Sequence, residues 1–126
     1  MFFTYSQNNS GGSFVHDEDA GIANYVIIEA SAFDEANAKA SEIGLYFDGC
    51  QTGMDCSCCG DRWSTPWEED GSSFPSIYDR DATNPREYSD RLMGTGISRY
   101  GVGKGEHATF VHYADGTKRG YGRVEA

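Results

Sequence analysis

The run Tyr25-Val26-Ile27-Ile28-Glu29-Ala30 constrains this chain more than any other segment. A strand sends successive side chains to opposite faces, so a run that is apolar at consecutive positions must be covered on both sides. A central strand with material packed on each face is the expected setting. Ser31 follows it and opens a helical pattern, with Asp34 three residues on and acids in the first turn, as a helix N-terminus prefers. Phe33, Ala36, Ala40 and Ile43 recur at spacings of three and four, which predicts one principal helix over about 32–43. Gly44 suits the left-handed residue that ends a helix, with Leu45 as its apolar partner. Leu45-Tyr46-Phe47 is short and apolar and predicts a further strand, completing a strand-helix-strand element.

Both ends of the chain read as β. Phe2–Gln7 and Ser13–His16 flank the turn cluster Asn8-Asn9-Ser10-Gly11-Gly12 and predict a hairpin whose polar tip is also a candidate binding loop. Near the C-terminus, Ala108–Tyr113 and Thr117–Val124 flank Ala114-Asp115-Gly116, and Asp-Gly is a strong hairpin signal. Between Gly49 and about Gly105 the sequence is mostly irregular, rich in Gly, Ser, Pro and Asp. One short second helix is legible there at about 85–93, from Asn84 as cap, Pro85 and Glu87 in the first turn, and Gly94 closing it. A structureless segment this long is improbable inside a compact domain, so something must anchor it. The expected class is α+β: a mainly antiparallel sheet, one principal helix, a short second helix and a long irregular middle, in a single domain spanning 1–126.

Composition narrows the partners. A chain of 126 residues that is 38% hydrophobic but carries 8 Tyr, 7 Phe and 2 Trp should build a small aromatic core. No stretch approaches the roughly 20 apolar residues that cross a bilayer, and no signal-peptide pattern opens the chain, so a soluble cytoplasmic protein is expected and no membrane partner. The net charge is -10, and residues 1–61 hold ten acids against the single base Lys39. Such a field repels nucleic acid and favours basic partners, although solubility alone also explains it. The clusters Asp17-Glu18-Asp19 and Glu68-Glu69-Asp70 read either as solvated loop tips or as imitations of a phosphate backbone.

The densest chemistry lies in four cysteines within ten residues: Cys50, Cys56, Cys58 and Cys59. Clustered cysteines in a reducing cytoplasm are more often metal ligands or redox groups than disulfides. Cys56-x-x-Cys59-Gly60 has the spacing of a metal knuckle, a tight turn in which two thiolates face one ion. A closed zinc site wants four ligands, and the economical set is Cys56 and Cys59, Cys50 from the preceding loop, and Cys58 or a distant histidine. Asp61 and Arg62 would then support the ligands. Three readings stand side by side: a zinc site, an inert turn of small free thiols with Trp63 packed over them, and redox-active thiols. The redox reading lacks the helix N-terminus that a thioredoxin-like C-x-x-C requires, because Trp63-Ser64-Thr65-Pro66 reads as extended. His16, His107 and His112 are scattered, and His16 and His112 fall in predicted strands where a structural role is the commoner outcome. No catalytic set is assigned.

Three stretches together carry a resemblance: the strand Tyr25–Ala30, Gly44-Leu45-Tyr46-Phe47-Asp48-Gly49, and the block Cys56-Ser57-Cys58-Cys59-Gly60-Asp61-Arg62-Trp63. Over about residues 2–63 the chain resembles small tailed-bacteriophage proteins that carry a C-x-C-C-G-D-R-W block. The resemblance implies an intracellular protein made in the host bacterial cytoplasm, acting by binding. The first expectation is therefore a non-enzymatic accessory protein, an anti-defence or host-takeover factor that binds a host protein. Its candidate contact residues are Asn8, Asn9, Arg62, Trp63 and Trp67. The alternative is a zinc-stabilised module that binds a nucleotide or nucleic acid, with Arg62 and the bases between Arg80 and Arg123 meeting phosphates. A small thiol-dependent or hydrolytic enzyme is third, and a homo-oligomer is compatible with all three.

Overall fold

The computed structural model describes residues 1–8, 10–86 and 101–123. Its elements in chain order are β1 (Phe2–Ser6), β2 (Tyr25–Glu29), α1 (Phe33–Ile43), α2 (Gly49–Thr52), β3 (Ser76–Ile77), β4 (Arg80–Asp81), β5 (Thr109–His112) and β6 (Lys118–Tyr121). Single turns of 3-10 helix stand at Ser10–Gly12 and Glu68–Asp70. The main sheet has the order β1-β2-β5-β6, and β3 and β4 form a separate two-stranded ribbon. The class is α+β, as expected, with antiparallel β1–β2 and β5–β6 pairs and a parallel β2–β5 pair at the centre. Parallel neighbours require a long crossover, which α1 and the middle segment supply.

The expectation for Tyr25–Glu29 is met residue by residue. Val26 and Ile28 enter one core with Phe3, Tyr5, Ala36, Ala40, Leu45 and Trp63. Tyr25 and Ile27 point the other way, into a second core with Ile77, Ala82, Ala108 and Val111. Burying each such aliphatic side chain is worth about 1.5–3 kcal/mol, so β2 alone supplies a large share of the drive to fold. The α1 helix lays Ala36 and Ala40 on the first face and ends at Gly44 (φ 116), beyond which the Leu45 N–H reaches the Ala40 carbonyl. At its start the carboxylate that meets Ser31 lies one residue later than the sequence suggests: Ser31 donates its N–H and hydroxyl to Glu35, not Asp34. The C-terminal hairpin also forms, with Asp115 Oδ1 accepting from the Thr117 N–H and hydroxyl across the turn.

Two expected β elements are absent. Phe2–Ser6 pairs with Tyr25–Glu29 and not with Ser13–His16, which contains no strand. The two-faced β2 needs a neighbour on each edge, and pairing there buries Phe3 and Tyr5 completely, whereas Val15 in the rejected partner is exposed. Leu45-Tyr46-Phe47 is likewise not a strand; Leu45 packs into the first core and the chain turns at once through Asp48 (φ 58) into α2. The expected helix at 85–93 lies outside the described residues from residue 87 onward. Among the described residues, no helix is long and apolar enough to cross a membrane.

Gly21 joins the turn before β2 to the far hairpin. Its φ is +77, its carbonyl is 2.8 Å from His112 Nε2, and a Cβ there would come within 2.7 Å of the imidazole ring. Burial pushes the His112 pKa down, so the ring is neutral and its Nε2–H donates to the Gly21 carbonyl. Gly21→Ala therefore combines a left-handed backbone with an overpacked contact, and we expect a loss of about 2–4 kcal/mol. Urea denaturation should show a lower midpoint at unchanged slope.

Candidate metal centre and aromatic groove

The knuckle hangs on a buried ion pair. The Asp55 side chain is fully buried, and its carboxylate accepts the Arg62 N–H (2.8 Å) and the Tyr46 hydroxyl (2.9 Å), with Arg62 Nε 3.8 Å away. The guanidinium then donates to Tyr46 Oη, Gln7 Oε1, the Ser13 carbonyl and the Ser10 carbonyl at 2.7–3.2 Å. Arg62 is 8% exposed, so it corrects the expectation of a phosphate contact: its donors are spent on the interior. Burial and the Asp55 carboxylate together push the Tyr46 phenol up. A Cβ on Gly49 would collide with the same carboxylate, which is why glycine stands there.

On this frame the backbone of Cys56–Gly60 closes a turn, the Cys59 and Gly60 N–H groups both reaching the Cys56 carbonyl at 3.1 Å. Ser10 Oγ accepts the Cys56 N–H, and Asn8 Nδ2 donates to the Cys59 carbonyl at 2.7 Å. Asn8 is thus a strut of the knuckle, and Asn9 lies outside the described residues. Trp63, 2% exposed, corrects the expectation of a contact residue by joining the first core.

The sulfurs of Cys56, Cys58 and Cys59 all lie within 4.8 Å of one another. Cys58 and Cys59 are 3.9 Å apart, and Cys56 and Cys58 are 2.7 Å apart. Tetrahedral zinc with bonds of about 2.3 Å needs sulfurs roughly 3.8 Å apart, so the Cys58–Cys59 pair already fits and the Cys56–Cys58 pair must open by about 1 Å. The donor set is compatible with a metal held by these three cysteines. Cys50 does not join them: α2 turns its thiol to the Cys56 carbonyl at 3.4 Å, and burial with the Asp61 carboxylate pushes its pKa up. Donation from the thiols and N–H groups of Cys58 and Cys59 lowers Cys56 to about 7, while Cys58, whose thiol keeps its proton and donates it in hydrogen bonds to the Cys56 and Cys59 sulfurs, is pushed up to about 11. The histidines are engaged elsewhere. His107 Nδ1 meets Glu18 at 2.7 Å, His16 lies 3.7 Å from Glu106, and His112 holds Gly21.

A different surface carries the exposed aromatics. Trp67 is 72% exposed and Tyr78 70%, and both line an open groove of about 540 Å3 beside β1, with Thr4, Ser6, Asp70 and Asp79. Tyr78 and Asp79 form the two-residue turn between β3 and β4, and both have positive φ, 51 and 65. That turn normally takes Asn-Gly, so Tyr78 carried no hairpin signal and was missed. Asp55 was missed as well, although an acid closing the knuckle against Arg62 was there to be seen.

Fold and site define a small α+β domain that presents a three-cysteine knuckle and an acidic, aromatic groove. The family model described as Domain of unknown function (DUF7296) matches residues 1–126, and the chain belongs to that family. No curated protein matches the chain, and no solved structure does.

Removing one partner of a buried ion pair costs about 3–5 kcal/mol, so Arg62→Met should lower the thermal midpoint sharply and loosen the knuckle. In metal-free protein, iodoacetamide should modify Cys56 first, at a rate that rises as pH passes about 7 and its thiolate forms, with Cys58 following only at much higher pH. Peptide mapping by mass spectrometry reads both.

Proposed function

We propose that this protein is a non-enzymatic accessory factor of the tailed-bacteriophage kind, acting in the host cytoplasm by binding a host protein in an anti-defence or takeover role. The observation that carries the reading is the pair Trp67 and Tyr78, two large aromatic side chains left in water at one groove. Such side chains supply the anchors of protein interfaces, whereas single exposed apolar residues scattered over a surface mean little. The acidic excess favours a basic partner and disfavours nucleic acid. With Arg62 committed to the interior, a nucleotide reading loses its central cation.

Wild-type protein immobilised against bacterial lysate should retain one host protein in stoichiometric amount, and Trp67→Ala with Tyr78→Ala should abolish retention while leaving the circular dichroism spectrum unchanged. Recovery of a small nucleotide without a protein would show the reading to be wrong.

The three converging sulfurs favour a second property, a zinc ion held by Cys56, Cys58 and Cys59 with the fourth position left to water or a partner group. Zinc should then protect Cys56 from alkylation at one equivalent and raise the thermal midpoint, both effects vanishing in Cys56→Ser. Sub-stoichiometric zinc in protein purified without chelator, and no protection, would count against it.

A further inference from the structure

We infer that the groove between Trp67 and Tyr78 receives an arginine or lysine side chain from an extended basic segment of the partner, a refinement that rests on the binding reading above. The groove is a break in the edge of the sheet. Antiparallel bridges flank the free edge of β1, Gln7 just beyond its end to Trp63 and Phe2 to Ser72, and no bridge joins residues 64–71 to the strand between them. Thr4 and Ser6 therefore lie along the opening, and the Thr4 hydroxyl ties it to the Ser76 carbonyl at 2.6 Å.

The chemistry of the lining selects the occupant. Asp70 and Asp79 line the groove, and no lysine, arginine or histidine does so among the described residues. Asp70 Oδ2 accepts the Trp67 backbone N–H at 2.7 Å, so a carboxylate is fixed against the residue whose indole lines the groove. Tyr78 and Asp79, side by side in the β3–β4 turn, add a second aromatic ring and a second carboxylate to the lining. A cation over an aromatic face is drawn to the ring quadrupole, and an adjacent carboxylate adds direct charge attraction. Hydroxyl and carbonyl oxygens along β1 suit the several N–H donors of a guanidinium. The net charge of -10 extends the attraction beyond contact distance. An anionic ligand meets repulsion at both carboxylates, and a neutral one takes their hydrogen bonds without the charge attraction.

The test is isothermal calorimetry with a hexa-arginine peptide, run alongside the lysate capture. Saturable one-site binding is expected, weakened roughly tenfold or more both by Trp67→Ala and by Asp70→Asn with Asp79→Asn. Asparagine tolerates the left-handed backbone at 79 and still accepts the Trp67 N–H at 70, so the paired change removes charge and keeps the fold. Equal peptide binding by wild type and both variants would mean attraction to bulk charge and would overturn the inference. So would a host partner captured through Trp67 by protein that ignores the peptide, or a neutral oligosaccharide that displaces it; the binding reading survives the first of these. Peptide binding that depends on Trp67 and both aspartates, with no host protein captured, would uphold the cation site and remove the binding reading instead.

Discussion

Much of this structure depends on the burial of one charge. The Asp55 side chain is fully buried, where an unpaired carboxylate would be prohibitive, and it is matched by the Arg62 N–H, the Tyr46 hydroxyl and the nearby guanidinium. The guanidinium in turn reaches the Gln7 side chain and the carbonyls of Ser10 and Ser13. Residues 7–8, 10–13, 46–48 and 55–62 contain little regular structure, and buried backbone groups in such segments still require partners. Arg62 supplies several at once, doing for these loops what a strand ladder does for the sheet.

This order of dependence bears on the cysteines. In a small zinc finger the metal creates the fold, and the peptide without it is unfolded. Here the Cys56 N–H is held by Ser10, the Cys59 carbonyl by Asn8, and the Cys50 N–H by Asp61, and Ser10 and Asp61 belong to the same loops that Arg62 and Asp55 fasten. Three sulfurs therefore converge through the protein's own hydrogen bonds. A metal at this knuckle would add stability to a turn already closed, with only the Cys56–Cys58 pair left to open, and the lowered pKa of Cys56 supplies a thiolate for it near neutral pH.

How far the sequence foretold this follows from where the information sits. β2, α1 with its Gly44 stop, and the Asp-Gly hairpin were legible because periodicity and turn chemistry are local. The partner of β1 was not, because the choice between Ser13–His16 and Tyr25–Glu29 is decided by which pairing buries Phe3 and Tyr5, a long-range matter. The cysteine cluster was legible as a cluster, but the exclusion of Cys50 depends on the four residues of α2, too short for a periodic signal. Arg62 looked like a surface cation for the same reason: nothing beside it in sequence announces that Gln7, Ser10 and Ser13 will fold over it.

The exposed aromatics are the remaining departure from simple economy. Trp63 and Trp67 are four residues apart, yet one is buried in the core and the other stands in water, with the buried Pro66 between them. A left-handed backbone at a non-glycine residue costs about 1–2 kcal/mol, and the β3–β4 turn accepts it at Tyr78 and again at Asp79. Asparagine and glycine at those two positions would form the same turn without that strain and without exposing a phenol ring. A surface held in this form at the expense of stability fits the proposed binding role, in which anchors that already point outward spare the cost of ordering them. The Arg62 clamp completes the logic: by fastening residues 55–62 it sets where Trp63 enters the core, and hence where the chain emerges to present Trp67.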